Sequence, residues 1–147
     1  MEQPSDSWFR ALAEAAADGV LVIDQTSVIV YANPAVERLF GYAAGELIGQ
    51  PLTRLMPERL RERHSAGLRR YLETGERHVN WGGITFPALG RDGREFPAEV
   101  AFAETARAEP RRLFAGFVRD GRERQAEKDR LERHYEEATR RARMLET

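Results

Sequence analysis

Apolar positions along the chain switch between a helical and a strand period. Trp8, Phe9 and Leu12 recur at helical spacing in the Ala-rich stretch Ser7 to Ala17, with Ser5, Asp6 or Ser7 placed to cap it. Asp18-Gly19 breaks that helix, and Val20-Leu21-Val22-Ile23 is a wholly apolar run that reads as a buried strand. A polar turn from Asp24 to Ser27 leads to a second strand, Val28-Ile29-Val30-Tyr31, so the chain opens with a hairpin. Short helices come next. Asn33-Pro34 supplies an N-cap and a first-turn proline ahead of Ala35, Val36, Leu39 and Phe40, and Gly41 closes that helix. Further helical turns are predicted around Ala44 to Ile48 and Leu52 to Met56. Pro57 then opens a longer helix from Glu58 to about Glu73, stopped by Thr74-Gly75.

The second half returns to strands. His78 to Leu89 is one candidate, Arg91-Asp92-Gly93 a hairpin turn, and Glu95 to Glu104 the next strand. Phe96, Ala98, Val100 and Phe102 alternate with Pro97 and Glu99, which assigns the inward face. Ala106 to Pro110 turns again before a last strand, Leu113 to Val118. Two strands, several helices and three strands predict an α+β fold, one five-stranded antiparallel sheet with helices on one face. Beyond Asp120 the chain becomes rich in Arg and Glu. There Leu131, Tyr135, Ala138, Ala142 and Leu145 recur at steps of four and three. That narrow seam with charged flanks suits a two-stranded coiled coil; the alternative is a lone amphipathic helix docked on the sheet. The seam runs on to the last residues, which suggests truncation before an output domain. The predicted organisation is an N-terminal cap helix over 1–18, a core over 19–120 and a C-terminal helix over 121–147.

Composition narrows the chemistry. The 147 residues carry 23 basic and 24 acidic side chains, so no global charge invites nucleic acid. The absence of cysteine excludes disulfides, thiolate metal sites, c-type haem linkage and cysteinyl photoadducts. No apolar run approaches the roughly 18 residues of a membrane span and no signal pattern precedes the first helix, so a cytoplasmic protein is expected. Catalytic motifs are missing as well: there is no Gly-x-Ser-x-Gly, no His-Glu-x-x-His and no phosphate-cradling Gly loop. An enzymatic role is not expected. The residue with chemical promise is His64. Leu60, His64, Leu68 and Tyr71 share one face of the Pro57 helix, which turns the imidazole toward the sheet.

This element order, with a charged helix leaving the last strand, resembles a PAS domain. The resemblance rests on Gly19-Val20 to Asp24, on Ile29-Val30-Tyr31-Ala32-Asn33-Pro34-Ala35, and on Leu39-Phe40-Gly41-Tyr42 with Glu46-Leu47-Ile48-Gly49. It continues through Arg91-Asp92-Gly93-Arg94-Glu95-Phe96-Pro97 and the exit strand Gly116-Phe117-Val118-Arg119-Asp120, and so covers about Phe9 to Gln125. One departure is Gly121-Arg122 where the family usually continues Ile-Thr; Asp120 keeps its capping role while the Thr contact is lost. The resemblance implies an input module of a bacterial signalling protein, such as a histidine kinase of a two-component system. It would form a homodimer through the N-terminal helix and the C-terminal coiled coil, and drive a downstream effector domain.

Within the family, the chain is similar to the oxygen-sensing rhizobial kinases of the FixL type. Met56-Pro57-Glu58 precedes Arg63-His64 at the spacing of their axial histidine, which implies haem b as a cofactor with His64 on the iron. Arg70 and His78 fall where those sensors hold the haem propionates, and Ile84 aligns with the distal Arg that steadies oxygen. Val100 and Phe102 take the positions of the aliphatic distal pair. An all-apolar distal side implies a relative preference for carbon monoxide or nitric oxide over oxygen. The competing expectation is a ligand-free interaction module that sets dimer geometry, with His64 a hydrogen-bonded core residue. The two differ in one property: a sensor needs a cavity beside His64, whereas an interaction module has Phe102, Trp81 and Leu68 packed into that space.

Overall fold

A computed structural model describes residues 4–77, 79–106 and 112–145. Helix α1 (Pro4–Ala15) precedes the hairpin of β1 (Gly19–Asp24) and β2 (Ile29–Ala32). Helices α2 (Pro34–Phe40) and α3 (Ala44–Leu47), a 3-10 turn (Leu52–Leu55) and helix α4 (Glu58–Thr74) follow. The chain then returns through β3 (Ile84–Leu89), β4 (Glu95–Ala106) and β5 (Leu113–Asp120) and leaves along α5 (Arg122–Leu145). The five strands form one antiparallel sheet in the order β2-β1-β5-β4-β3. The continuous apolar run Val20 to Ile23 is buried throughout, as its lack of alternation predicts, and its strand lies between two neighbours.

The junction between hairpin and helices is tied at Asn33. Its side-chain oxygen accepts from the backbone N–H of Val20 (2.9 Å) and Val36 (3.2 Å). Its Nδ2 donates to the carbonyls of Ala13 (2.8 Å) and Asp18 (3.0 Å). One fully buried amide therefore caps α2, holds β1 and anchors the end of α1. Gly41 ends α2 in the left-handed conformation at φ 83, and Gly75 ends α4 at φ 76.

Three sequence expectations need correction. The strand predicted from His78 begins only at Ile84, because the Asn80 side chain accepts the Gly82 N–H and turns the chain there. His78 itself and residues 107–110 of the predicted Ala106 to Pro110 turn lie outside the described residues, and β4 runs on to Ala106. Val28 stands outside β2, in an isolated bridge to Pro51.

The core lies between the sheet and the helices. Leu21, Ile23, Val36, Phe40, Leu47, Leu55, Phe96, Val100 and Phe114 belong to one buried cluster, with Leu68, Trp81, Phe86 and Phe102 packed on its edge. Helix α5 buries no residue: Leu131 and Tyr135 of the predicted seam are 63% and 75% exposed. Its origin, by contrast, is held firmly. The Gly121 N–H donates to the Pro97 carbonyl (2.8 Å), Arg124 pairs with Glu99 (3.1 Å), and the Arg122 guanidinium lies 5.4 Å over the Phe96 ring. A Cβ at Gly121 would come within 3.1 Å of the Pro97 oxygen, so the residue that departs from the family pattern lets this junction close without displacing that carbonyl.

Candidate functional site: an apolar cavity beside His64

The predicted inward face of α4 meets the inward faces of β4 and β5, but the two do not close on each other. A cavity of about 380 Å³ lies between them, within the range of small-molecule sites. Leu60, His64, Leu68 and Tyr71 line it from α4, as their common helical face requires. Ile84, Val100 and Phe102 line it from the sheet, so the structure brings together His64 and the three residues aligned with a distal pocket.

Phe102 and Trp81 border the cavity without filling it. Trp81 is drawn aside into an aromatic group, 4.7 Å from Tyr71 and 6.2 Å from Phe114, with the Arg77 guanidinium 4.1 Å over its indole. Its carbonyl accepts from the Phe102 N–H (2.8 Å), which fixes the two bulky residues relative to each other. Behind them Tyr71 donates through its hydroxyl to Glu104 (2.8 Å). The Glu104 side chain is 6% exposed and also accepts from the Arg112 guanidinium at 2.8 and 3.0 Å. This partly buried pair lets a carboxylate sit beside an apolar site without an uncompensated charge.

Sequence reasoning overlooked Gly116, which also lines the cavity. It stands opposite Phe102 on β4 and Leu21 on β1, and a Cβ placed on it would meet no atom within 4 Å. A glycine inside a strand is a known sign of a close approach or a reserved space, so the signal was present. Ser27 and Arg63 were overlooked too. Arg63 borders the cavity. Ser27 Oγ lies 3.0 Å from His64 Nε2 across 37 residues, and no local pattern foretells such a pair.

Arg70 is not brought to the cavity. Its side chain is exposed and pairs with Glu76, just past the α4 C-terminus, at 2.7 Å. His78, the other residue aligned with propionate anchors, lies outside the described residues. Among the described residues no cluster of His, Asp and Glu is arranged to hold a metal ion by itself, so an iron would have to arrive within a prosthetic group. The donor set fits one: a single imidazole on a mostly apolar wall, with Arg63, Tyr71 and Thr85 as its other polar members. Ligation through Nε2 would exchange the Ser27 contact.

Strand β5 runs from the cavity, which its Phe114, Gly116 and Val118 line, to Asp120 at the start of α5. The Asp120 carboxylate accepts the Arg122 N–H at 2.9 Å, and the Arg122 guanidinium, hydrogen-bonded to it, holds its carboxyl below the ordinary value.

A five-stranded antiparallel sheet that encloses a ligand-sized cavity with one long helix, and passes its last strand into an exposed helix, defines a sensory domain. The chain belongs to the PAS family: the profile of the PAS fold matches residues 8–121. It is 36% identical over 128 residues to the sensor protein FixL of Bradyrhizobium diazoefficiens, covering 86% of this chain and 25% of that protein. It is 27% identical over 128 residues to the oxygen sensor protein DosP of Escherichia coli, covering 87% of this chain and 16% of DosP. A PAS domain from Colwellia psychrerythraea superposes with a TM-score of 0.65 at 21% identity over 81% of this chain and 98% of that one, a likeness of fold alone. The chain thus spans a quarter or less of the length of these two sensor proteins. No described helix is long and apolar enough to cross a membrane.

Proposed function

We propose that this PAS domain is a ligand-binding input module of a signalling protein, with haem b as the ligand and His64 as its axial residue. The observation that carries the reading is the cavity itself. Its wall includes His64, and it stays open although Leu68, Trp81 and Phe102 all border it. A ligand-free interaction module would gain by closing that space, since packed interiors tolerate few voids larger than water. Similarity to an oxygen sensor supports the choice of a gas-binding group. Haem would supply an iron that binds a diatomic gas. The chain's part is to present the imidazole, exclude water with Ile84, Val100 and Phe102, and pass the strain of ligation to β5. With no donor among those three side chains, carbon monoxide or nitric oxide is favoured over oxygen.

The output is a change at the root of α5, carried by a parallel homodimer through the seam of Leu131, Tyr135, Ala138, Ala142 and Leu145, with the N-terminal helix as a second contact. Trp8 and Leu12, exposed on α1, and the exposed seam on α5 are the surfaces available for it. An effector domain downstream does the chemistry, and this chain none.

The test is a visible absorption spectrum of the purified protein with added haemin, beside His64→Ala. A Soret band that saturates at one haem per chain and disappears in the variant supports the reading. A featureless spectrum without specific uptake overturns it and leaves a dimerising relay. Light scattering of the full chain against one ending at Asp120 tests the pairing; monomers in both would sink it.

A further inference from the structure

The chain has two buried polar residues among those described, Asn33 and Ser27. The four bonds of Asn33 are explained by the joint it ties. Ser27 is harder to explain. It is the only non-glycine described with a positive φ, 66°, a conformation that costs an L residue about 1–2 kcal/mol and that glycine or asparagine would adopt more cheaply.

The turn itself does not need the hydroxyl. The Ser27 N–H donates to the Asp24 carbonyl (3.0 Å), and the Ser27 carbonyl accepts from the Leu52 N–H (2.8 Å). The Asp24 carboxylate takes the Thr26 N–H, the Thr26 hydroxyl and the Val28 N–H. Every one of these bonds would survive a glycine at position 27. The hydroxyl is committed elsewhere, 3.0 Å from His64 Nε2 on a wall of the cavity.

We propose that Ser27 is a positioning residue for His64: its hydroxyl donates to Nε2 in the ligand-free domain and is displaced when a ligand takes that nitrogen. This rests on the reading of His64 as the ligand-binding residue. The Nε2 lone pair serves one partner at a time, so the hydroxyl and an electrophilic ligand compete for it. While bonded to Ser27 the ring keeps its proton on Nδ1, the tautomer in which Nε2 is ready to ligate. Exchange also frees the turn from α4. Since Ser27 holds the 3-10 turn through the Leu52 N–H, occupancy of the cavity becomes a change in the β1–β2 turn as well as in β5.

The first measurement is the ring-nitrogen NMR spectrum of the ligand-free full chain. The three histidines are separated by the signals lost in His64→Gln. The wild type should show His64 protonated on Nδ1, with Nε2 moved by its hydrogen bond, and Ser27→Ala should shift that Nε2 signal. Ser27→Gly, which keeps the turn and relieves the backbone, should give the same ring shift with an undiminished melting temperature. Ring signals identical in the wild type and both variants overturn the proposal.

The second measurement is haemin titration. Ser27→Ala should bind about five-fold more tightly, the size of one net neutral hydrogen bond. Uptake with equal or weaker affinity overturns the competition. Absence of uptake by wild type and variants alike would refute haem as the ligand, and with it the displacement by haem. The ring signals would still decide whether Ser27 holds His64.

Discussion

Replacing Gly116 by valine sets two consequences of the cavity against each other. The position lies within β5, opposite Phe102 and Leu21, and faces open space. A Cβ there meets no atom within 4 Å, so a larger side chain enters the open space of the cavity. Relief of the glycine's backbone entropy in a strand is worth roughly 0.5–1 kcal/mol. Burying a valine side chain adds about 1.5–3 kcal/mol when contact is complete. The sum is an upper estimate, because the new methyls touch the cavity wall on one side only and the unfolded chain already buries some surface. A gain of about 2 kcal/mol follows, which raises the melting temperature by about 5 °C in a domain of this size. The same methyls occupy space that a ligand needs. Urea unfolding should therefore show a higher midpoint at unchanged slope, while haemin uptake at one per chain is lost. A destabilised Gly116→Val would refute the view that the cavity is open at this point. A stabilised variant with full uptake would refute the view that the ligand lies there.

Asn33→Ala should lower stability by about 3 kcal/mol in urea titration: about 1 from the lost cap of α2 and the rest from buried groups left without partners. A loss under 1 kcal/mol would show that water replaces the amide. Tyr71→Phe removes a hydroxyl donated to Glu104 and should cost about 1.5 kcal/mol, with the cavity retained because the ring stays; an unchanged midpoint would count against this partly buried bond as a structural tie. The Asp120 carboxyl, held below its ordinary 3.8 by Arg122, contributes to the root of α5 above that value and loses the contribution as pH falls through its lowered folded value. Amide exchange at Arg122 and Gln125, corrected for intrinsic rates, should therefore show protection lost at the acid end. Asp120→Asn should show reduced protection near neutrality and no acid step.

Local elements were legible because their causes are local. Asn33-Pro34 and Gly41 bound α2, and Pro57 with Gly75 bound α4, since caps and breakers act within a turn of their own position. Alternation in Phe96 to Phe102 assigned the inner face of β4, and the common face of Leu60, His64, Leu68 and Tyr71 pointed at the sheet for the same reason of period. The family motifs carried the order of strands and helices, and the charged stretch after Asp120 announced an exposed helix.

What surrounds His64 depended on contacts that no period records. Whether Phe102 and Trp81 would close the space turned on rotamers set by Tyr71, Phe114 and Arg77, which come from separate elements. That the space persists follows from the register placing Gly116 opposite Phe102, a pairing between strands joined only after the whole sheet forms. Arg70 follows its near neighbour Glu76 rather than the cavity, and Ser27 reaches His64 across 37 residues. Sequence determined the fold and the side of the helix that bears the imidazole, because both arise from neighbours along the chain. Only tertiary structure decided that a cavity lies beside that imidazole and that a serine holds it, because both arise from neighbours in space.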